Sequence, residues 1–397
     1  MSTSPIQLSD ESAAPGVRTQ LLRIDPLLLL AGIGLALCSF VTLHGAGYHS
    51  DSEKQMLYSG IGLLLALVMS RFDYSVLREY RYVFYASMIV LNIAVYAFPK
   101  EPAIGGAHRW IPLPGFSFQS SEFGKLLLIV ALSAFAVDRS RRLSERRTIA
   151  RVMLLALVPA IIVMKLQSDL GSGLIYVTIA SSILFFLGTG WKQLAALAAL
   201  FAVAAAIVLL AAPLVGVHVL QPYQTQRLTT FINPPANCTS ANNQVCYQLH
   251  EGLVAIGSGQ KTGVGPENAT QATFGLLPEP STDFIFAVLG ETYGFAGAAL
   301  VISLYALLIW RTLRILTMAK NLFGTLIASG VLAMFMFQIF LNIGMTLGIM
   351  PVTGVPLPLL SYGGSSVLMS FLAIGLLQSI HVQARVASSG KARALIV

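Results

Sequence analysis

LIYVTIASSILFFLGTGWKQLAALAALFAVAAAIVLLAAPLV, residues 174–215, holds one charged residue, Lys192. A helix needs about 20 apolar residues to cross a hydrocarbon core of about 30 Å. The stretch therefore reads as two crossings, 174–189 and 193–215, divided only by Gly190, Trp191 and Lys192. Outward from it the pattern repeats at 26–46, 55–71, 83–98, 124–138, 152–166, 283–309, 324–348 and 365–380, which makes ten expected spans. Charged residues are 11% of the 397, the set AVILMFWYC is 55% and mean hydropathy is +0.74. A soluble domain carries roughly 25% charge, and a water-soluble fold this apolar would have no surface to show to water. The expected fold class is an all-α polytopic integral membrane protein of about ten transmembrane helices, with a large extracytoplasmic loop, 216–282, between spans seven and eight.

The formal charge of +8 would suggest nucleic acid in a soluble protein. In a membrane protein the placement of Lys and Arg sets orientation instead, and no nucleic-acid partner is expected. With the N-terminus inside, 18 of the 25 Lys and Arg fall in cytoplasmic segments, among them six in DRSRRLSERRTIAR, residues 138–151. The other seven are Lys54, Lys100, Arg109, Lys125, Lys165, Arg227 and Lys261. This asymmetry and an even span number agree on two cytoplasmic termini. The expected organisation is a cytoplasmic tail at 1–25, a membrane domain at 26–380 and a cytoplasmic tail at 381–397. The polar, acidic N-terminus lacks the basic-then-apolar pattern of a cleaved signal, so the first span is expected in the mature protein. The six arginines of 138–151 are expected to meet anionic membrane lipids.

No CxxC or HExxH spacing occurs, so no protein-built metal site is expected. Cys38 lies in the first span, while Cys238 and Cys246 lie in the outer loop. These two can pair as a disulfide on an oxidising face or stand as free thiols, and spacing does not choose between them. An outer loop as long as 216–282 is more than a connection and reads as functional.

Four constellations carry candidate chemistry. GGAHRWIPLPGFSFQSSEFGKL (105–126) sets Arg109, Trp110, Gln119, Ser121, Glu122 and Lys125 at an outer membrane boundary. Arg and Lys clamp phosphate oxygens; the alternative is an interfacial anchor with a Glu122–Lys125 pair on a first helical turn. LQSDLGSG (166–173) contains Asp169, either a site acid or a helix cap. LLPEPSTDFIFAVLGETYG (276–294) places Glu279, Thr282 and Asp283 ahead of a long apolar run, where Asp283 too can be a cap. Glu291, eight residues further, would lie about 12 Å down a straight helix, where an acid is expensive and functional by default. NIGMTLGIMPVTGVPLPLLSYGGSS (342–366) reads as an irregular outer segment, tolerated where protein covers it or it lines a wet cavity.

Taken together these segments closely resemble the SEDS family (shape, elongation, division and sporulation), the membrane glycosyltransferases of bacterial cell-wall synthesis. The resemblance runs from IDPLLLL (24–30) to GLLQSI (375–380), and PEPSTDFIFAVLGE (278–291) and PVTGVPLPLLSYGGSS (351–366) carry it most specifically. The NIGM lead-in at 342–345 and VPLP at 355–358 are more similar to the RodA elongation branch than to the FtsW division branch. Departures are Ser120 and Ser168, where the family usually has proline, and Thr292, where a second glutamate is common.

The resemblance implies peptidoglycan glycosyltransfer in cell elongation and shape control at the bacterial cytoplasmic (inner) membrane. Lipid II is polymerised into glycan strands, with inversion at the anomeric carbon and release of undecaprenyl pyrophosphate. Asp283 matches the family's essential acid. Arg109, Trp110, Gln119, Ser121, Glu122, Lys125, Asp169, Glu279, Thr282, Ser361, Tyr362, Ser365 and Ser366 become candidate substrate-binding residues. Basic residues can stabilise the departing pyrophosphate, as can a divalent cation such as magnesium or manganese; no organic cofactor is implied. The implied protein partner is a class B penicillin-binding protein, a transpeptidase. The rival reading, a flippase or transporter of polyprenyl-linked sugar precursors, calls for polar groups near the midplane and two related halves. Here the ionisable residues cluster at the outer edge, Glu291 excepted, and no repeat is visible.

Overall fold

The computed structural model describes residues 24–97, 109–113, 116–140, 146–207, 221–233, 243–273 and 276–394. It opens with α1 (Pro26–Gly45), α2 (His49–Met69) and α3 (Arg81–Ala94), followed by a two-stranded hairpin of β1 (Trp110–Leu113) and β2 (Phe116–Gln119). Then come α4 (Ser120–Asp138), α5 (Arg146–Leu166), α6 (Leu170–Leu187) and α7 (Trp191–Ala206). The outer loop contains α8 (Pro222–Ile232), α9 (Gln244–Gly259) and α10 (Thr270–Thr273), and the chain closes with α11 (Ile285–Met318), α12 (Leu322–Thr346) and α13 (Gly364–Ala394). Each expected span overlaps a helix; residues 98 and 208–215 of those spans lie outside the described residues. Among the described residues seven helices are long and apolar enough to cross a membrane: α1, α4, α5, α6, α11, α12 and α13. α3 and α7 are shorter apolar helices, and α2 carries Asp51, Glu53 and Lys54 near its start.

Local chemistry fixes the ends. Asp25 accepts from the amides of Leu27 (3.1 Å) and Leu28 (3.3 Å), and Pro26 opens α1 without a missing donor. α6 ends at Gly188, whose φ of 95° is a left-handed cap, so the close pair of spans around residue 190 is two helices. Leu28, Leu35 and Ile179 are buried inward, whereas Leu30, Leu37, Leu64 and Phe185 are exposed on the perimeter. Apolar residues all round suit helices with protein on one side and lipid on the other. α2 and α13 touch closely: a Cβ on Gly375 would sit 2.7 Å from Ala66 Cα. At the end of the bundle remote from the hairpin, Arg311 of α11 pairs with buried Asp25 at 2.6 Å, and Gln378 of α13 donates to the Asp25 carbonyl at 2.8 Å.

The structure corrects several boundaries. α13 runs on to Ala394, so the limit drawn at 380 falls inside a helix and most of the expected tail 381–397 is helical. α12 continues to Thr346, so the irregular stretch of 342–366 begins only after it. The expected span 283–309 is α11, which reaches Met318 and is broken at Gly294 (φ 62°, ψ −158°). The chain after α9 wraps this break. Val264 and Gly265 donate to the carbonyls of Glu291 (2.9 Å) and Thr292 (3.2 Å), and Phe295 and Ala296 donate to those of Gln260 (2.9 Å) and Lys261 (3.1 Å). Glu291 is therefore not an acid in hydrocarbon. It is buried among outer-loop backbone and accepts from the Gln271 amide at 2.9 Å. The turns before Gly294 form a separate helical piece packed against outer-loop backbone, so eight residues of rise from Asp283 do not count as depth. Cys38 is a free thiol and Cys246 lies on the first turn of α9, while Cys238 lies outside the described residues.

Candidate active site

Residues 279–284 fold into a tight turn ahead of α11. The amides of Asp283 and Phe284 both donate to the Glu279 carbonyl at 3.2 Å, and Glu279 takes a φ of 50° to allow it. The Thr282 hydroxyl donates to Glu279 Oε2 at 3.2 Å. Asn342 of α12 donates through Nδ2 to the carbonyls of Asp283 (3.0 Å) and Val355 (2.8 Å), which locks the turn against the Pro-rich segment. The N-cap of α11 is Phe284, with no side-chain cap bond. Asp283 thus does not act as a helix cap. Asp169 does, accepting from the Ser172 amide at 2.9 Å at the start of α6. Two aspartates that looked alike in the sequence have been separated by their hydrogen bonds.

The centre of the site is marked by Gly354, at φ 71°. The point where its Cβ would stand is 3.2 Å from Asp283 Oδ2, 3.4 Å from Arg227 Nη1 and 3.7 Å from Arg109 Nη1. One carboxylate and two guanidinium tips surround a spot that only glycine leaves open. Arg109 precedes β1, in a hairpin paired Trp110 to Gln119 and Leu113 to Phe116. Ser365 of α13 fastens that hairpin, donating to the Ser117 carbonyl and accepting from the Gln119 amide, both at 2.9 Å. Arg109 is buried and donates to the Ser168 carbonyl at 3.1 Å. Ser168 turns that carbonyl inward with a φ of 56°, a conformation closed to the proline the family usually carries there. Arg227 reaches the same spot from α8.

Asp283 lies ahead of the membrane helix and is partly exposed. Burial pushes its carboxyl from 3.8 to about 6, outweighing the attraction of Arg227 and then Arg109, with Glu279 and Asp169 adding to the rise. Desolvation is the larger effect, leaving a carboxylate ionised about ten to one at pH 7.

The remaining candidates are engaged in contacts of their own. Lys125 is fully buried against Glu122 at 2.6 Å, the pair on the first helical turn that the sequence offered as the alternative. Behind it, Gln167 donates to the Asn92 carbonyl, Asn92 Oδ1 and Ser120 Oγ, each at 3.0 Å, and Tyr176 donates to the Ser121 carbonyl at 3.2 Å. Ser120, at a usual proline position, joins this network by donating to Asn92 Oδ1 at 3.2 Å. Gln119 donates to the Ser121 hydroxyl at 3.2 Å, and Trp110 is exposed. Ser361 donates to the Thr282 carbonyl at 2.5 Å and accepts from the Leu357 amide at 2.8 Å. The Tyr362 amide donates to the Ser281 carbonyl at 2.8 Å, and Ser366 is buried in the first turn of α13. The hydroxyls of Ser361 and Ser365 are thus engaged with backbone. Arg227 was missed as a site residue and counted only as an outward charge. Its signal was available: it is the sole Lys, Arg, Asp or Glu between 193 and 250.

A bundle of membrane helices that gathers one carboxylate and two guanidinium groups at one end defines a multi-pass membrane protein with a charged site. The chain belongs to the FtsW/RodA/SpoVE (SEDS) family, whose model, described as "Cell cycle protein", matches residues 20–386. It is 32% identical to the peptidoglycan glycosyltransferase RodA of Treponema pallidum, covering 90% of this chain and 98% of that one. It is also 32% identical to stage V sporulation protein E of Bacillus subtilis, over 92% of this chain and 97% of the relative. Among solved structures it resembles a chain from "Structural coordination of polymerization and crosslinking by a peptidoglycan synthase complex", with a TM-score of 0.74, 29% identity and coverage of 91% and 98%. The rod shape determining protein RodA of Thermus thermophilus matches with a TM-score of 0.63 at 27% identity, covering 90% of this chain and 96% of that one.

Proposed function

We propose that this chain is a peptidoglycan glycosyltransferase of the elongation branch, polymerising lipid II on the outer leaflet. The observation that carries the reading is the uncapped Asp283 carboxylate facing Arg109 and Arg227 across Gly354. Asp283 takes the proton of the incoming sugar's 4-hydroxyl as that oxygen bonds to the anomeric carbon of the growing strand. The bond from that carbon to the pyrophosphate breaks, its electron pair stays on the phosphate oxygen, and attack from the opposite face inverts the centre. Arg109 and Arg227 hold the developing negative charge with charge-assisted hydrogen bonds. A divalent cation fits this site poorly on protein ligands alone, because two guanidinium tips face one carboxylate.

Both termini face the cytoplasm of a bacterial inner membrane in this reading, supported by the Lys and Arg asymmetry of the sequence. A class B penicillin-binding protein cross-links the strands, supported by the solved neighbour's description as part of a peptidoglycan synthase complex. Cys238 and Cys246 pair on the outer face. A transporter is not favoured, because Glu291 is engaged by outer-loop backbone and leaves the rival without its midplane acid. The test is polymerisation by the purified chain from lipid II with no other polymerase present. Glycan strands and undecaprenyl pyrophosphate are expected; their absence from a folded preparation that binds lipid II would sink the reading.

A further inference from the structure

Gln55 is fully buried in α2, a helix whose outward residues Met56, Leu57, Ile61 and Leu64 are exposed on the perimeter. A glutamine inside a membrane helix commonly glues helices together. Here its main partner is not a helix but the backbone of the Pro-rich segment. Its Nε2 donates to the Ser361 carbonyl at 3.0 Å and to the Ser39 hydroxyl of α1 at 3.1 Å, and its Oε1 accepts from the Gly363 amide at 3.3 Å. The next link follows at once, since Ser361 Oγ donates to the carbonyl of Thr282, the residue before Asp283.

That segment needs holding. Leu359 takes a φ of 64°, a left-handed conformation that a branched side chain rarely adopts and that persists only where surroundings over-determine it. Ser39 donates to the Leu360 carbonyl and Tyr305 of α11 to the Pro358 carbonyl, both at 2.6 Å. Those two bonds restrain the segment on the side away from Thr282. Gln55 donates to the carbonyl of Ser361, whose hydroxyl meets the Asp283 turn, and accepts from the amide of Gly363 two residues on.

We infer that Gln55 is a positioning residue for the reaction: through Ser361 and Thr282 it fixes where the Asp283 carboxylate stands relative to the two guanidinium groups. The inference rests on the glycosyltransferase reading. A catalytic group displaced by about 1 Å can cost about a hundredfold in rate, and the loss falls on kcat because Gln55 itself meets no substrate. A purely structural glutamine would instead lower the amount or the melting temperature of folded protein and leave kcat per folded molecule alone.

The experiment is a double-mutant cycle on purified full-length protein, using lipid II and normalising to folded enzyme. Gln55→Leu and Ser361→Ala are each expected to lower kcat by about 10- to 100-fold, with the KM for lipid II unchanged within about twofold. The double variant is expected to be no worse than the poorer single, because both cut one chain of contacts. Gln55→Asn, which keeps an amide donor and acceptor on an arm one methylene shorter, should fall between wild type and Gln55→Leu, and it replaces the leucine variant in the cycle if that protein does not fold. Wild-type kcat in a folded Gln55 variant, or losses that simply multiply in the double, would overturn the inference. Failure of the wild-type chain itself to polymerise lipid II would instead remove the functional reading beneath it.

Discussion

Replacing Asp283 with asparagine is predicted to abolish activity and to stabilise the protein at the same time. The carboxyl stands at about 6 in the fold against 3.8 ordinarily, so at neutral pH the folded state carries a charge that it holds less well than the unfolded chain does. About two units correspond to about 3 kcal/mol if fully expressed. The side chain is partly exposed, so solvent reduces this to about 1–2 kcal/mol. The sign follows from the raised value. The penalty is complete above about 6, shrinks as pH falls through that point, and is gone below 3.8. Wild type should therefore gain thermal stability between pH 7 and pH 4 from this group, and Asp283→Asn should lack that component while melting higher at pH 7. Activity runs the other way. The base must be unprotonated, so the acid limb of the rate profile should centre near 6, with about a tenth of the plateau left one unit below. Loss of proton abstraction should cost the variant about 10² to 10⁴ in rate. Thermal unfolding in one detergent across that pH range, beside lipid II polymerisation, measures both. An asparagine variant that melts lower than wild type at pH 7, or that still polymerises at a comparable rate, would refute the argument.

Arg227→Gln should lower kcat/KM by about 10- to 100-fold, from one lost charge-assisted bond of about 1.5–3 kcal/mol. It should also move the acid limb upward, because Arg227 is the larger of the two influences holding the Asp283 carboxyl down; an unmoved limb would count against that assignment. Gly354→Ala should cost about 1–2 kcal/mol of stability through its left-handed backbone. Its methyl would stand 3.2 Å from Asp283 Oδ2, so polymerisation should fail in a folded protein, and normal turnover would show the spot is not used by substrate. Neutralising Arg139, Arg147 and Arg151 together should change insertion or lipid dependence while leaving the rate per folded molecule intact, since they stand in the basic segment assigned to topology.

Helix positions were legible in the sequence because an apolar run of bilayer length seldom forms anything but a membrane helix, and even the division at Gly188–Gly190 could be read. Asp283, Arg109 and Asp169 were legible as candidates because charged residues are scarce in this chain. Their roles were not, because one capping signature fits both aspartates and only the amide partners of Ser172 and Phe284 tell them apart. Arg227 stayed hidden since α8 brings it to Asp283 across the outer loop, a long-range contact that no local pattern encodes. Glu291 was misread for the opposite reason. The eight-residue rise from Asp283 to Glu291 was counted as depth, whereas the turns before Gly294 are packed against outer-loop backbone.

That break also sets the altitude of the chemistry. Measured along α12, Asn342 stands twenty residues beyond Leu322, about 30 Å up the bundle, and it holds the carbonyl of Asp283. An unbroken α11 rising from Met318 would have lifted Asp283 to about 52 Å, roughly 20 Å beyond that level. Gly294 folds the first turns of the helix over, so the carboxylate comes back to about 30 Å above Leu322, a height equal to the thickness of a hydrocarbon layer. A sugar carried on a prenyl chain presents its pyrophosphate at the rim of that layer. Meeting a base placed higher would require drawing the tail out into water at about 0.8 kcal/mol for each methylene. In the proposed reaction one glycine thus lets the bond be cut where the lipid already floats.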